Sequence, residues 1–188
     1  VEPGGSIELN GSDVTENDTR TRRDQGLGFI PEERVPDGAI PEFTVSENLI
    51  LVDHQTDEFV NRGLFSFDKI SEHNSKLVSD FDVKTPNTNT LATALSGGNQ
   101  QKFVVGRELE DNPSLLIASQ PTRGIDIGAQ SLIWEKLRQS RDNGLAVLLI
   151  SADLEELIGL SDRIIVFYQG STVKELSSDD VSPEDLGG

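Results

Sequence analysis

The chain has 188 residues, which is enough for one α/β domain with a sizeable core and a small subdomain. It contains no cysteine and only two histidines, His54 and His73, which excludes a disulfide framework and a thiolate metal site and disfavours a zinc site. The formal net charge of −17 disfavours unspecific nucleic-acid binding and predicts a solvated acidic surface of the kind suited to a high-salt cytoplasm.

Residues 1–42 predict a hairpin followed by a buried strand. Apolar and polar residues alternate over 6–9 and 12–14 around Asn10-Gly11, a turn dipeptide typical of β-hairpins. The apolar run 26–30 stops at Pro31 and predicts a buried strand, and the proline-containing stretch 32–40 predicts an ordered loop. We interpret residues 1–42 as the N-terminal part of an α/β core.

Residues 43–95 have helical spacing and predict a helical subdomain inserted into this core. Helices are expected over 44–51 and 68–81, the second capped by Ser66 or Asp68. A polar segment at 86–90 then connects the subdomain to LSGGNQQKF at 95–103.

Residues 96–176 predict the rest of the core, because helices and strands alternate there. Strand 145–151 is a continuous apolar run, which is typical of parallel strands buried on both faces, and Gly144 is the expected C′ residue of the helix before it. Residues 177–188 form an acidic tail that we expect to fray. The remaining predicted elements are helix 99–110, strand 115–118, helix 130–141, helix 153–160 and the strands 163–168 and 171–176.

Two kinds of site are compatible with Ser96-Gly97-Gly98 at the start of a helix. The unpaired N–H groups of a helix N-terminus and the lack of side chains on glycine suit a phosphate, but the same residues also suit a plain capped helix. In sheets of this kind ligands collect at the carboxyl ends of the strands. The loops after Ile30, Ala118 and Ile150 are therefore the other places to examine.

Four segments together resemble the motifs of ATP-binding cassette (ABC) ATPases. LSGGNQQK at 95–102 resembles the signature motif in the variant seen in sugar and nucleoside importers, and LLIASQPTRGID at 115–126 resembles the Walker B strand and the D-loop. FIPEER at 29–34 lies where the Q-loop is expected, and ISADLE at 150–155 lies where the switch-histidine loop is expected. The resemblance implies a P-loop-NTPase-like α/β core with an antiparallel hairpin at its start and a helical subdomain.

The sequence departs from the family pattern at every catalytic position that can be checked. No glycine is followed by lysine, so the Walker A loop is absent, and its usual place before the hairpin implies a cassette truncated before Val1. Ser119 and Gln120 replace the aspartate that helps to hold Mg²⁺ and the glutamate that polarises water. Glu32 occupies the Q-loop position and Ala152 the switch position. We therefore predict no intact catalytic residue and no metal ligand.

The signature and the D-loop keep their family residues. ABC cassettes pair head to tail, so the resemblance implies binding in trans to ATP with Mg²⁺ held mainly by a second cassette, in the same full-length chain. The residues implied for the nucleotide are Ser96, Gly97, Gly98, Asn99 and Gln100, and those implied for the D-loop interface are Arg123, Gly124 and Asp126.

The resemblance also implies partners and a location. Transmembrane permease subunits would bind the helical subdomain, and a solute-binding protein would act indirectly, in a complex peripheral to the cytoplasmic face of the cell membrane. Two alternatives stay open. One is a soluble ABC-type ATPase acting on nucleic acid or ribosomes, against which the acidic surface and the signature variant argue. The other is a catalytically competent transporter cassette that tolerates Ser119 and Gln120.

Overall fold

A computed structural model of the protein describes residues 4–54, 56, 59–61 and 63–177. The predicted hairpin and strand at the start are confirmed, although Phe29 of the strand is exposed. A helix between them was not predicted, because none of its residues is buried and it therefore has no apolar periodicity. These elements are β1 (Glu8–Leu9), β2 (Ser12–Asp13), α1 (Thr19–Asp24) and β3 (Leu27–Ile30).

The predicted loop after β3 contains a short helical turn over Arg34–Gly38, which is broken at Val35. Two predicted helices follow and are confirmed, the first over a shorter range. Ser66 lies at the N-cap position of the second, but its side chain makes no capping hydrogen bond. The elements of this region are α2 (Val45–Leu49), β4 (Val60–Asn61), β5 (Leu64–Phe65), α3 (Phe67–Asp80) and a 3₁₀ turn over Ala92–Ala94.

Beyond residue 96 the predicted alternation of helices and strands is confirmed. Gly144 follows the helix C-cap Asn143 with a φ of 103°, a conformation that glycine adopts without strain, so it is the C′ residue as predicted. The elements are α4 (Gly97–Glu110), β6 (Leu115–Ser119), α5 (Ile127–Asp142), β7 (Ala146–Ile150), α6 (Leu154–Leu160), β8 (Arg163–Tyr168) and β9 (Ser171–Ser177).

A three-stranded parallel sheet in the order β3-β6-β7 lies at the centre of the α/β core. Its register pairs Leu27 with Leu115 and Leu115 with Ala146. The prediction that β7 is buried on both faces is wrong, since Leu148 is 53% exposed and Ile150 is 50% exposed. The physical reason is its position, because β7 is an edge strand of this sheet and the described core covers only one of its faces.

Helix α4 joins two hydrophobic clusters. Phe103 and Val104 pack with the helical region, including Leu49 and Leu77. The next residue, Val105, packs with the sheet and helix α5. Helix α4 is therefore the rigid connection between the insertion and the α/β core.

Among the helices in the described part of the chain, none is both long and apolar enough to span a bilayer.

A buried ion pair reinforces this connection. Arg107 donates hydrogen bonds to the carbonyls of Gly38 (2.9 Å) and Asn48 (3.0 Å), and to the Glu108 carboxylate (3.0 Å). Glu108 also accepts from Arg23 (2.8 Å) and from the backbone N–H of Phe29 (3.0 Å). One carboxylate therefore ties α1, β3 and α4 together.

Candidate functional site

The carboxyl ends of the three parallel strands lie at one edge of the sheet, as expected for this topology. Strand β3 leads into Glu32, β6 ends at Ser119 and is followed by Gln120, and β7 leads into Ala152. Four predicted site residues thus come from three adjacent strand ends.

Gln120 connects two of these strand ends. Its backbone has a φ of 50°, in the left-handed region that non-glycine residues rarely occupy. Its N–H donates to the carbonyl of Ile150 at 2.7 Å, and its side-chain oxygen accepts from the N–H of Ala152 at 3.3 Å. A residue held in this conformation by its surroundings is typical of functional loops.

The third strand end, that of β3, is connected to the D-loop, residues 121–126, by an ion pair. Arg123 forms an ion pair with Glu32 and approaches Glu33 at 3.8 Å. All three side chains are more than half exposed, so these contacts position the loop while adding little stability. Gly124 follows with a φ of 70° and is exposed, which makes it the turn of the D-loop.

Ser96 begins helix α4 as its N-cap. Its Oγ accepts from the backbone N–H of Asn99 at 3.4 Å and from the Asn99 side chain at 3.0 Å, and its carbonyl accepts from the N–H of Gln100 at 3.0 Å. Helix geometry leaves the N–H groups of Gly97 and Gly98 without intrahelical partners. The hydroxyl of the exposed Ser96 and these two N–H groups, on the half-buried Gly97 and the buried Gly98, are the donors at the N-terminus of α4.

The side chains of Asn99 and Gln100 are engaged within the chain. The Asn99 side-chain oxygen accepts from the backbone N–H of Lys84 at 2.7 Å. Gln100 donates to the carbonyl of Ala92 at 2.8 Å and accepts from Arg34 at 3.3 Å. Both residues therefore hold the start of α4 in place.

The two signature glycines lie against different neighbours. A Cβ on Gly98 would lie 2.8 Å from Asp126 Oδ2 and 3.0 Å from the Cβ of Ala129, so the absence of a side chain lets α4 and α5 approach each other. A Cβ on Gly97 would lie 2.8 Å from a guanidinium nitrogen of Arg34. Burial lowers the pKa of that guanidinium from its usual value.

Asp126 ends the D-loop as the N-cap of helix α5. Its carboxylate accepts from the N–H of Ala129 at 3.0 Å, and this hydrogen bond holds its pKa below the usual range. The D-loop is also fixed at its start, where the side chain of the buried Gln101 donates to the carbonyl of Pro121 at 2.7 Å. The signature helix and the D-loop are therefore in contact at two points.

Behind the D-loop lie buried polar groups, which the sequence did not single out. The carboxylate of Glu156 accepts from Thr122 Oγ1 at 2.6 Å and from Trp134 Nε1 at 3.1 Å. No sequence signal distinguishes Glu156 from the adjacent Glu155. The sequence also contains no sign that the Arg34 guanidinium lies against Gly97 and Gln100, because this contact joins segments more than 60 residues apart in the chain.

The residues at the strand ends do not fit a magnesium ion. Oxygen-rich sites with one or two carboxylates hold Mg²⁺, but serine and glutamine occupy the end of β6. Among the described residues, no group of three His, Cys, Asp or Glu side chains could hold a metal. What the site offers chemically is a set of hydrogen-bond donors at the start of α4.

A family model described as "ABC transporter" matches residues 2–123. The chain is 39% identical over 183 residues to the guanosine import ATP-binding protein NupO of Bacillus subtilis (strain 168). It is 41% identical over 183 residues to the nucleoside import ATP-binding protein NupA of Lactococcus lactis subsp. cremoris (strain MG1363). Over 185 residues it is 40% identical to a glucose import ATP-binding protein of Haloferax volcanii.

These alignments cover 97% of this chain but only 34% to 36% of each relative. Among solved structures, a dimeric bacterial ABC transporter cassette matches with a TM-score of 0.76 and 24% identity. A dimeric cassette in a post-hydrolysis state, bound to ADP and Pi, matches with a TM-score of 0.74 and 23% identity. Each match covers 94% of this chain and 74% of the other, and at these identities the likeness shows a shared fold.

Proposed function

The chain belongs to the ABC transporter family, and from this premise we propose that it is an ATP-binding cassette of an importer for nucleosides or sugars. It acts as the half that does not hydrolyse ATP and supplies its signature helix to ATP bound by a partner cassette. The relatives named above, which are import ATP-binding proteins for guanosine, nucleosides and glucose, support the importer class.

The edge of the parallel sheet lacks the groups that cleave ATP. Ser119 offers no charge to a magnesium ion, and Gln120 can orient water without taking its proton. The amide oxygen of Gln120 is already bonded to the N–H of Ala152, whose side chain cannot reach a phosphate. This absence of catalytic groups at three adjacent strand ends is the observation that carries the proposal.

The start of helix α4, by contrast, keeps the features of an anion site. Ser96 is exposed, and its hydroxyl and the N–H groups of Gly97 and Gly98 lie at the positive end of a 14-residue helix. Donors of this kind, fixed before a reaction begins, stabilise the charge that develops on a transferred phosphoryl group. The chain therefore contributes to hydrolysis by supplying hydrogen-bond donors to ATP, which the partner holds together with Mg²⁺.

The partners follow from this role. The D-loop, whose Asp126 lies against Gly98 of the signature helix, would face the second cassette through Arg123, Gly124 and Asp126, and we place that cassette in the same full-length chain. Transmembrane permease subunits would contact the helical region between residues 43 and 95, with a solute-binding protein acting indirectly. The complex would lie peripherally on the cytoplasmic face of the membrane.

A charge introduced at Ser96 tests the proposal. In the assembled transporter, Ser96→Asp keeps an N-cap acceptor for Asn99 but adds a negative charge facing the phosphate. We expect ATP turnover to fall by about a hundredfold or more, whereas Ser96→Thr keeps the hydroxyl and stays close to the parent rate.

The matched control is a substitution at the carboxyl end of strand β6. Ser119→Ala removes the hydroxyl at the end of strand β6, and we expect turnover to stay within about twofold of the parent. If Ser119→Ala were as damaging as Ser96→Asp, the chain would carry out its own chemistry. Hydrolysis by the chain without a partner, after a Walker A segment is supplied, would contradict the proposal in the same way.

A further inference from the structure

Glu156 is a buried carboxylate that takes no part in the proposed phosphate site. Its side chain belongs to a residue that is 1% exposed, on the first turn of helix α6. A single oxygen, Oε1, accepts the hydrogen bonds from Thr122 and Trp134. Both of these side-chain partners, in the described part of the chain, are neutral groups. Burying a carboxyl group with only neutral partners is unfavourable, so its place calls for a role.

The segment 152–156, which runs into the first turn of α6, is bound to the segment 120–122 at two separate points. The N–H of Ala152 donates to Gln120, and four residues later Glu156 accepts from Thr122. Asp153 fixes the distance between these points, because its carboxylate caps α6 by accepting from the N–H of Glu156 at 3.2 Å. One attachment just before α6 and one on its first turn together oppose rotation of one loop against the other.

We propose that Glu156 is a positioning residue that holds the D-loop and the switch segment, residues 151–153, together as one unit. The proposal rests on the proposed function, in which the D-loop faces a partner cassette. Arg123 follows Thr122 directly, so the hydroxyl that Glu156 binds is adjacent to the partner-facing turn. Because Ala152 cannot contact a phosphate, the contact with Glu156 sets the loop position whether or not nucleotide is bound.

A packing role alone makes a different prediction. Thr122→Val keeps the shape of the side chain and removes only the hydroxyl that donates to Glu156. Thr122→Ser keeps the hydroxyl and removes a methyl group. If Thr122 merely filled space, valine would be tolerated and serine would loosen the loop, whereas a hydrogen-bonded attachment gives the opposite order.

Hydrogen exchange of the backbone amides in residues 122–126 measures this attachment directly in the full chain. We expect Thr122→Val to accelerate exchange there by about tenfold or more, and Thr122→Ser to exchange within about twofold of the parent. Trp134 is the sole tryptophan of the chain, so its fluorescence emission should shift in Glu156→Met, which removes the acceptor of its N–H. Parent-like exchange in Thr122→Val would overturn the proposal.

A double variant covers the case in which a single substitution fails to fold. Replacing both partners of a buried hydrogen bond by apolar groups can be nearly neutral for stability. Thr122→Val combined with Glu156→Met leaves only the half-buried Trp134 Nε1–H without an acceptor, so this variant should fold and still exchange rapidly in the D-loop. Parent-like exchange in this double variant would also overturn the proposal.

Turnover separates this proposal from the proposed function. In the assembled transporter, Thr122→Val should lower the kcat of the partner's ATP site by about tenfold while leaving the KM for ATP unchanged, and Thr122→Ser should restore it. Faster exchange with unchanged kcat would leave the role of Glu156 intact and contradict the partner-facing D-loop. Unchanged exchange would remove the role of Glu156 whatever the turnover.

Discussion

The side-chain oxygen of Gln120 accepts a hydrogen bond from the backbone N–H of Ala152, so the two residues that the sequence motifs predict at the water and phosphate positions are bonded to each other. In this arrangement the amide of Gln120 spans the gap between two strand ends. The contact keeps the loops at a fixed separation without any catalytic group taking part.

The substitution Gln120→Glu tests the role of this contact. A carboxylate at the same place would accept the Ala152 N–H equally well, but the adjacent Ser119 still offers no ligand to a metal ion. We expect the ATP turnover of the assembled transporter to stay within about twofold of the parent. A steady-state phosphate-release assay checks this, and a large gain would mean that position 120 alone limits the chemistry.

Gly98→Ala should destabilise the fold by about 1 to 3 kcal/mol, as overpacking does. The new Cβ would lie 3.0 Å from the Cβ of Ala129, which the backbone of α5 holds in place. Gly97→Ala is the matched control, since its nearest neighbour is the flexible end of Arg34. Urea unfolding of both variants measures the difference, and equal midpoints would show that α4 and α5 are not in close contact.

The sequence predicted most elements because their apolar residues recur with a clear period. It missed helix α1, which buries nothing, and it placed β7 in the wrong environment. An apolar run such as Leu145 to Ile150 indicates a strand but does not show which other elements of the fold pack against it. The motifs predicted the residues of the site, and the cap at Ser96 is a local contact that a sequence can indicate, whereas the contact of Gly98 with α5 depends on tertiary packing.

Glu108→Leu should be among the most destabilising substitutions in the chain. It leaves the buried guanidinium of Arg107 without a counter-charge, and removing one partner of a buried pair costs about 3 to 5 kcal/mol. The control is Asp24→Asn, which breaks the exposed pair with Arg20 and should change the unfolding free energy by about 0.5 kcal/mol or less. Similar losses in the two variants would contradict the structural importance of the buried pair.

Asp126 makes a stabilising contribution that depends on pH. Hydrogen bonds lower its pKa in the folded state, so this stabilisation is present above the unfolded pKa and is lost as the pH falls through the folded value. Asparagine caps a helix but does not titrate, so the stability difference between the parent and Asp126→Asn should shrink from pH 7 to about pH 3.

Urea midpoints at the two pH values measure that difference. Ser96→Ala serves as the control, because it removes an uncharged N-cap whose contribution should be the same at both pH values. A difference between the parent and Asp126→Asn that does not change with pH would mean that the Asp126 carboxylate gains nothing from its charge.

The left-handed backbone at Gln120 limits which side chains this position can accept. Valine, isoleucine and threonine are strained at positive φ by about 1 to 2 kcal/mol, while glycine, asparagine and aspartate tolerate it well. The backbone conformation therefore restricts the shape of the side chain at this position, but it does not restrict whether that side chain can act as a base. Glutamine and glutamate have nearly the same shape, so either fits this backbone, and the charge at position 120 can change without any rearrangement of the chain.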